Sequence, residues 1–100
     1  MAIIKDPEGN ETSILDRMVD FKDLRVLEIG CGEGRLTWRY ADKAAQVTAI
    51  DPDGKAIETA RGNVPERLKG RVRFLKSTID DFASSYSDRK FDIAIFGWSL

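Results

Sequence analysis

The sequence predicts an α/β fold, a three-layer arrangement in which helices cover both faces of an open parallel sheet. Three observations predict it. Four strand-like runs, at 25–29, 46–50, 71–75 and 91–96, alternate with stretches of helical periodicity. The spacing between successive runs leaves room for the crossover that parallel strands require. A Gly-x-Gly-x-Gly turn follows the first run, at the strand end where such sheets receive ligands. The expected strand order is 3-2-1-4, with the winding direction reversing between the first and fourth strands.

Each element has its own warrant. Residues 5–12 are polar, carry Pro7, Gly9 and Asn10, and read as a lead-in loop. Thr12 or Ser13 is placed to cap a helix running to about Asp20, with Ile14, Leu15, Met18 and Val19 on one face. Residues 1–23 are thus a lead-in and helix, and 24–100 hold the sheet. Asp23-Leu24-Arg25 opens the first strand, 25–29. A helix over about 34–43 has Leu36, Trp38, Tyr40 and Ala41 among its apolar residues, with Trp38 and Tyr40 read as core and boundary residues. The second strand is 46–50. The next helix runs from 53, with Asp53 as its cap, to about 62, and turns Ala56, Ile57 and Ala60 inward. Pro65 and Gly70 break the chain before the third strand, 71–75. A short helix from Ile79 to about Ser84 and a polar surface loop from Ser84 to Lys90 lead to the fourth strand, 91–96.

Composition narrows the function classes. The chain has 100 residues, 42% of them hydrophobic, enough for one small domain. A net charge of −1 gives no global electrostatic case for nucleic acid or an anionic membrane. The basic stretch Arg61, Arg67, Lys69, Arg71, Arg73 and Lys76 lacks interleaved aromatics and reads as a solvated helix end and strand entry. One cysteine excludes an intrachain disulfide, and the absence of histidine removes the commonest general base and metal ligand. The adjacent acids Asp80 and Asp81 have no further ligands beside them, so no metal site is expected. No apolar run approaches the ~20 residues of a membrane span, and the N-terminus lacks a signal-peptide layout, so a cytoplasmic setting is expected.

The chemistry concentrates in Val26–Leu36. An apolar strand carries Glu28, then Gly30, Cys31, Gly32, Glu33 and Gly34 form the turn. Glycines at alternate positions let the backbone bend sharply and lie against a ligand with no Cβ in the way. The dinucleotide fingerprint is Gly-x-Gly-x-x-Gly, whereas here Arg35 stands at its third glycine. Glu28 would oppose a pyrophosphate but suits a cationic ligand with an amino group and a sulfonium. Cys31 reads as a small side chain that fits the turn rather than as a nucleophile. The run Val47-Thr48-Ala49-Ile50-Asp51 ends in an acid about 20 residues past Gly30, where a carboxylate can accept from both ribose hydroxyls. Asp51 supports an adenosine ligand without choosing among cofactors, since nicotinamide enzymes also place an acid there.

The pattern Glu28-x-Gly30-x-Gly32-x-Gly34 resembles the first motif of class I S-adenosylmethionine (SAM)-dependent methyltransferases, which are Rossmann-like. The resemblance extends over 24–100 and is carried by Val26–Leu36, Val47–Asp53, Val72–Phe82 and Phe91–Leu100. It implies that Glu28 and the Gly30–Gly34 backbone face the methionine moiety, that Asp51 holds the ribose, and that Pro52 touches the adenine edge. The family often presents an acid to the adenine amino group after the third strand. Here Thr78 stands at that position, followed by Ile79, with Asp80 and Asp81 later, so either Thr78 or Asp80 serves. Gly97 would pass the methionine part, with Trp98 and Ser99 near the methyl-transfer end.

The family's sheet has seven strands, and this chain stops after the fourth, so it reads as truncated before the fifth to seventh. The fourth strand, apolar at nearly every position, is expected to be a bare edge, covered by another chain or by self-association, or poorly ordered. The resemblance implies methyl transfer from SAM to an acceptor, a small molecule by expectation, with no general base to name and weak or absent activity for these 100 residues alone. The alternatives are a non-catalytic SAM- or nucleoside-binding module and an NAD(P)-dependent oxidoreductase domain.

Overall fold

The computed structural model describes residues 2–5, 20–85 and 91–97. The expected helix from Thr12 or Ser13 and the loop over 86–90 lie outside the described residues, as do Trp98 and Ser99. The described chain forms a five-stranded, all-parallel sheet. Its strands are β1 (Ala2–Lys5), β2 (Arg25–Ile29), β3 (Gln46–Asp51), β4 (Val72–Lys76) and β5 (Ile93–Phe96). Their spatial order is β1-β5-β2-β3-β4. The four expected strands stand in the expected order 3-2-1-4.

The fifth strand corrects the expectation of a bare edge. Ala2–Lys5 pairs in parallel with β5, with Ala2 opposite Ile93 and Lys5 opposite Phe96. An apolar strand whose backbone groups lacked a partner would invite foreign pairing, and here the chain's own N-terminal residues take that place. β5 is therefore interior, which agrees with Ile93, Ala94 and Ile95 all being buried. The other edge, β4, shows the half-exposed alternation of an edge strand: Val72 and Phe74 are buried, while Arg73 and Leu75 are partly exposed.

Among the described residues three helices flank the sheet, α1 (Thr37–Tyr40), α2 (Gly54–Gly62) and α3 (Ile79–Ser85), with a 3-10 turn at Glu66–Leu68. α2 starts where expected, because the Asp53 carboxylate accepts from the Lys55 and Ala56 amides at 3.0 and 3.2 Å. α1 is far shorter than the helix expected over 34–43. Its flanks close with three-residue hydrogen bonds, Arg39 N–H to Leu36 O and Lys43 N–H to Tyr40 O, both 3.0 Å. A single turn has little macrodipole, so the turn amides rather than a helix dipole are what the glycine loop offers a ligand.

Side chains alternate across the sheet as the pleat requires. Val26, Val47, Ala49, Ile93 and Ile95 face the larger core layer with α1 and α2. Leu27, Ile50 and Ala94 face the opposite layer, where Phe82 of α3 packs. The basic stretch is absorbed structurally. Arg61 donates twice to the Phe74 carbonyl at 3.0 and 2.8 Å, Arg67 grips Asp42 in a fork at 2.7 and 2.9 Å, and Arg71 donates to the Asp42 and Ala44 carbonyls. No helix among the described residues is long and apolar enough to cross a membrane.

Candidate functional site

The carboxyl ends of β2, β3, β4 and β5 meet at one edge of the sheet, and the loops leaving those ends build the site. After β2 the backbone bends through Gly30, Gly32 and Gly34, at φ of +79°, +55° and +93°. The Gly30 and Cys31 amides both donate to the Ile50 carbonyl, at 2.8 and 3.1 Å, which pins the turn over the end of β3. Gly34 packs against Trp38, whose ring would meet a Cβ there at 3.1 Å. Trp38 in turn lies edge-on to Phe74 at 5.5 Å and is partly buried against the core, as expected.

Asp51 ties two of these loops together. Its Oδ2 accepts from the Gly32 amide at 2.9 Å and its Oδ1 from the Asp53 amide at 2.8 Å. The side chain is 4% exposed, and these bonds hold its carboxylate at the mouth of the turn. Each carboxylate oxygen can accept more than one hydrogen bond, so the grip leaves capacity for ribose hydroxyls. The Asp51 carbonyl accepts from the Ser77 amide at 3.0 Å, which brings the loop after β4 alongside. Pro52 is exposed beside it.

Thr78 and Ile79 come next in that loop. The Thr78 hydroxyl accepts from the Asp81 amide at 3.1 Å and so caps α3. The neighbouring Ile79 is a large hydrophobic side chain left 43% exposed at this edge. Asp80 and Asp81 are exposed on the first turn of α3.

After β5, Gly97 donates to the Ile29 carbonyl at 2.8 Å and closes against Gly30. A Cβ on Gly30 would stand 2.8 Å from the Gly97 carbonyl oxygen, and one on Gly97 would stand 3.0 Å from that of Gly30. The floor between β2 and β5 is therefore bare backbone, with no room for a side chain on either residue.

Glu28 completes the site in an unexpected setting. It lies on the core face of β2, opposite Ala49 of β3 and Ile95 of β5, and is fully buried. Its Oε1 accepts from the Thr37 and Tyr40 hydroxyls, both at 2.7 Å. Its Oε2 lies 3.1 Å from where a Gly97 Cβ would be. Sequence reasoning missed Thr37 and read Tyr40 as a core or boundary residue without a polar role. The available signal was a carboxylate in an apolar strand row, which demands nearby donors. Cys31 is buried, and its thiol is pushed well above its ordinary 9.0, first by burial and then by the Glu28 and Asp51 carboxylates. It stays protonated, which agrees with a packing role.

All ten residues expected to bind a cofactor, Glu28, Gly30, Cys31, Gly32, Gly34, Asp51, Pro52, Thr78, Ile79 and Gly97, thus gather at this one edge. The comparisons with known proteins agree with the architecture. A family model described as a methyltransferase domain matches residues 20–98. A ubiquinone biosynthesis O-methyltransferase from Rickettsia bellii is 34% identical over 76 residues, covering 76% of this chain and 30% of that protein. A SAM-dependent methyltransferase from Thiobacillus denitrificans, solved with S-adenosyl-L-homocysteine, superposes with a TM-score of 0.63 at 29% identity, over 85% of this chain and 34% of that one. The cyclase SpnF superposes with a TM-score of 0.65 at 35% identity, over 83% of this chain and 31% of that one. The chain belongs to the methyltransferase domain family and is a class I, SAM-dependent type of domain. It spans about a third of the length of the relatives it matches.

Proposed function

We propose that this chain is the cofactor-binding part of a SAM-dependent methyltransferase acting on a small-molecule acceptor. The observation that carries the reading is the pairing of a buried carboxylate with a side-chain-free floor: Glu28 Oε2 beside Gly97, and Gly30 against Gly97. A buried carboxylate beside a surface that excludes a Cβ suits a slender cationic ligand and opposes a pyrophosphate. S-adenosylmethionine fits that donor set, and when bound it supplies a methyl group already activated on a sulfonium.

The chain's own residues bind and orient. Asp51, already fixed by the Gly32 and Asp53 amides, accepts from the ribose hydroxyls. Pro52 and Ile79 flank the adenine, with Thr78 holding the loop in place as the α3 cap. Glu28, with Gly30, Cys31, Gly32, Gly34 and Gly97, faces the amino-acid and sulfur end. Orientation is the main catalytic contribution asked of such a site, since the acceptor atom must approach in line with the departing sulfur. The acceptor-side residues are not among those described. The name of the Rickettsia bellii relative, a ubiquinone biosynthesis O-methyltransferase, supports an oxygen acceptor on a small molecule.

A second reading has its own observation. SpnF, a cyclase by name, is 35% identical to this chain, so the same cofactor cradle is compatible with a different reaction. Calorimetry with SAM, S-adenosyl-L-homocysteine and NADH tests the cofactor assignment. SAM and its product are expected to bind, and binding of NADH alone would reject the reading. An assay of methyl transfer from SAM to small-molecule acceptors then separates the methyltransferase from a cradle put to other use.

A further inference from the structure

Glu28 occupies a position where the fold asks for a hydrophobe. The β2 row that faces the larger core layer is Val26 and Glu28, and the residues paired with Glu28 are Ala49 and Ile95. A fully buried carboxylate there is costly unless donors compensate it. Compensation comes from one turn of helix. Thr37 and Tyr40, three residues apart on α1 and therefore on the same face, both donate to the same oxygen at 2.7 Å. Hydrogen bonds donated to a carboxylate favour its charged form.

The geometry gives the carboxylate a direction. Both hydroxyls approach Oε1 from α1, and Oε2 lies toward Gly97 and the β2–β5 floor. Tyr40 cannot swing away, since its ring stacks on Phe21 at 4.7 Å between centroids and 21° between planes. Cys31 sits next to Gly30 in the same turn, and its thiol is pushed up first by burial and then by the Glu28 and Asp51 carboxylates.

We propose that Thr37 and Tyr40 are positioning residues: their hydroxyls hold the Glu28 carboxylate beside the Gly30–Gly97 floor, and this charge makes the site select a positively charged adenosyl ligand over its neutral counterpart. The inference rests on the cofactor reading above. It adds that charge selectivity is set by two hydroxyls that act through Glu28 and do not touch the ligand.

The test compares SAM with 5′-methylthioadenosine, which keeps the adenosyl thioether but lacks the sulfonium charge and the aminobutyrate chain with its ammonium and carboxylate. Calorimetry on the chain and on Tyr40→Phe, Thr37→Val and Thr37→Ser measures both affinities. The unaltered chain is expected to prefer SAM. Tyr40→Phe, which keeps the ring on Phe21, and Thr37→Val are each expected to weaken SAM about tenfold, or ~1.4 kcal/mol. Binding of 5′-methylthioadenosine is expected to stay within about twofold, well under 1 kcal/mol. Thr37→Ser restores the hydroxyl and is expected to keep SAM affinity. A merely structural tie would weaken both ligands in parallel, and that result, or no change in either, overturns the proposal. Equal affinity of the unaltered chain for the two ligands also overturns it while leaving the cofactor reading intact. Binding of neither ligand to the unaltered chain rejects both.

Discussion

Substituting Gly30 by alanine tests the bare floor of the crevice, and Gly70→Ala supplies its control. Both glycines have positive φ, +79° and +90°. An alanine pays a left-handed backbone penalty of about 1–2 kcal/mol at either position. The surroundings differ. A Cβ at Gly70 meets nothing within 4 Å, whereas one at Gly30 stands 2.8 Å from the Gly97 carbonyl oxygen. Ordinary contact begins at 3.4 Å, so β2 and β5 must part by about 0.6 Å at their ends (3.4 − 2.8), against the 2.8 Å hydrogen bond from Gly97 N–H to Ile29 O. Overpacking of this kind costs about 1–3 kcal/mol more. Urea titration is therefore expected to show about 1–2 kcal/mol lost for Gly70→Ala and about 2–5 kcal/mol for Gly30→Ala, with unchanged m-values. SAM calorimetry on the same proteins is expected to lose the Gly30→Ala signal and keep that of Gly70→Ala. Equal destabilisation by the two, or undiminished SAM binding by Gly30→Ala, would refute the close-approach argument.

Further outcomes are expected elsewhere in the molecule. Asp53→Ala removes the cap bonds to the Lys55 and Ala56 amides and should cost about 1 kcal/mol in urea unfolding. The Cys31 thiol stays neutral when folded but ionises in the unfolded chain near its ordinary 9.0. Its contribution to stability is thus full below that pH and falls as pH rises above it. Cys31→Ala should flatten that alkaline decline, and iodoacetamide should label Cys31 only as the protein unfolds. Deleting residues 1–5 uncovers the β5 edge, and light scattering should then detect self-association absent from the undeleted chain.

How much of this was legible beforehand depends on how local the cause was. Strands 25–29 and 46–50 and the Asp53-capped helix derive from neighbouring residues, and the structure has them within a residue. β1 was not legible. Ala2-Ile3-Ile4-Lys5 has no periodicity to read in four residues, and its partner Ile93–Phe96 is about ninety positions away. The helix over 34–43 shrank to Thr37–Tyr40 because its apolar residues point to a core that three-residue hydrogen bonds reach equally well. At the site, Gly30–Gly34 and Asp51 announced themselves through residue type and spacing. The Thr37 and Tyr40 bonds to Glu28 did not, since they depend on how α1 crosses β2.

The most direct test of the account is to titrate SAM into the isotopically labelled chain and follow backbone amide shifts. The cradle requires the changes to centre on Gly30–Gly34, Asp51, Ser77–Ile79 and Gly97, the loops tied together by Asp51 and the Gly30–Gly97 contact. Saturable changes confined to the opposite, amino-terminal edge of the sheet, around Arg25 and Asp92, would contradict it.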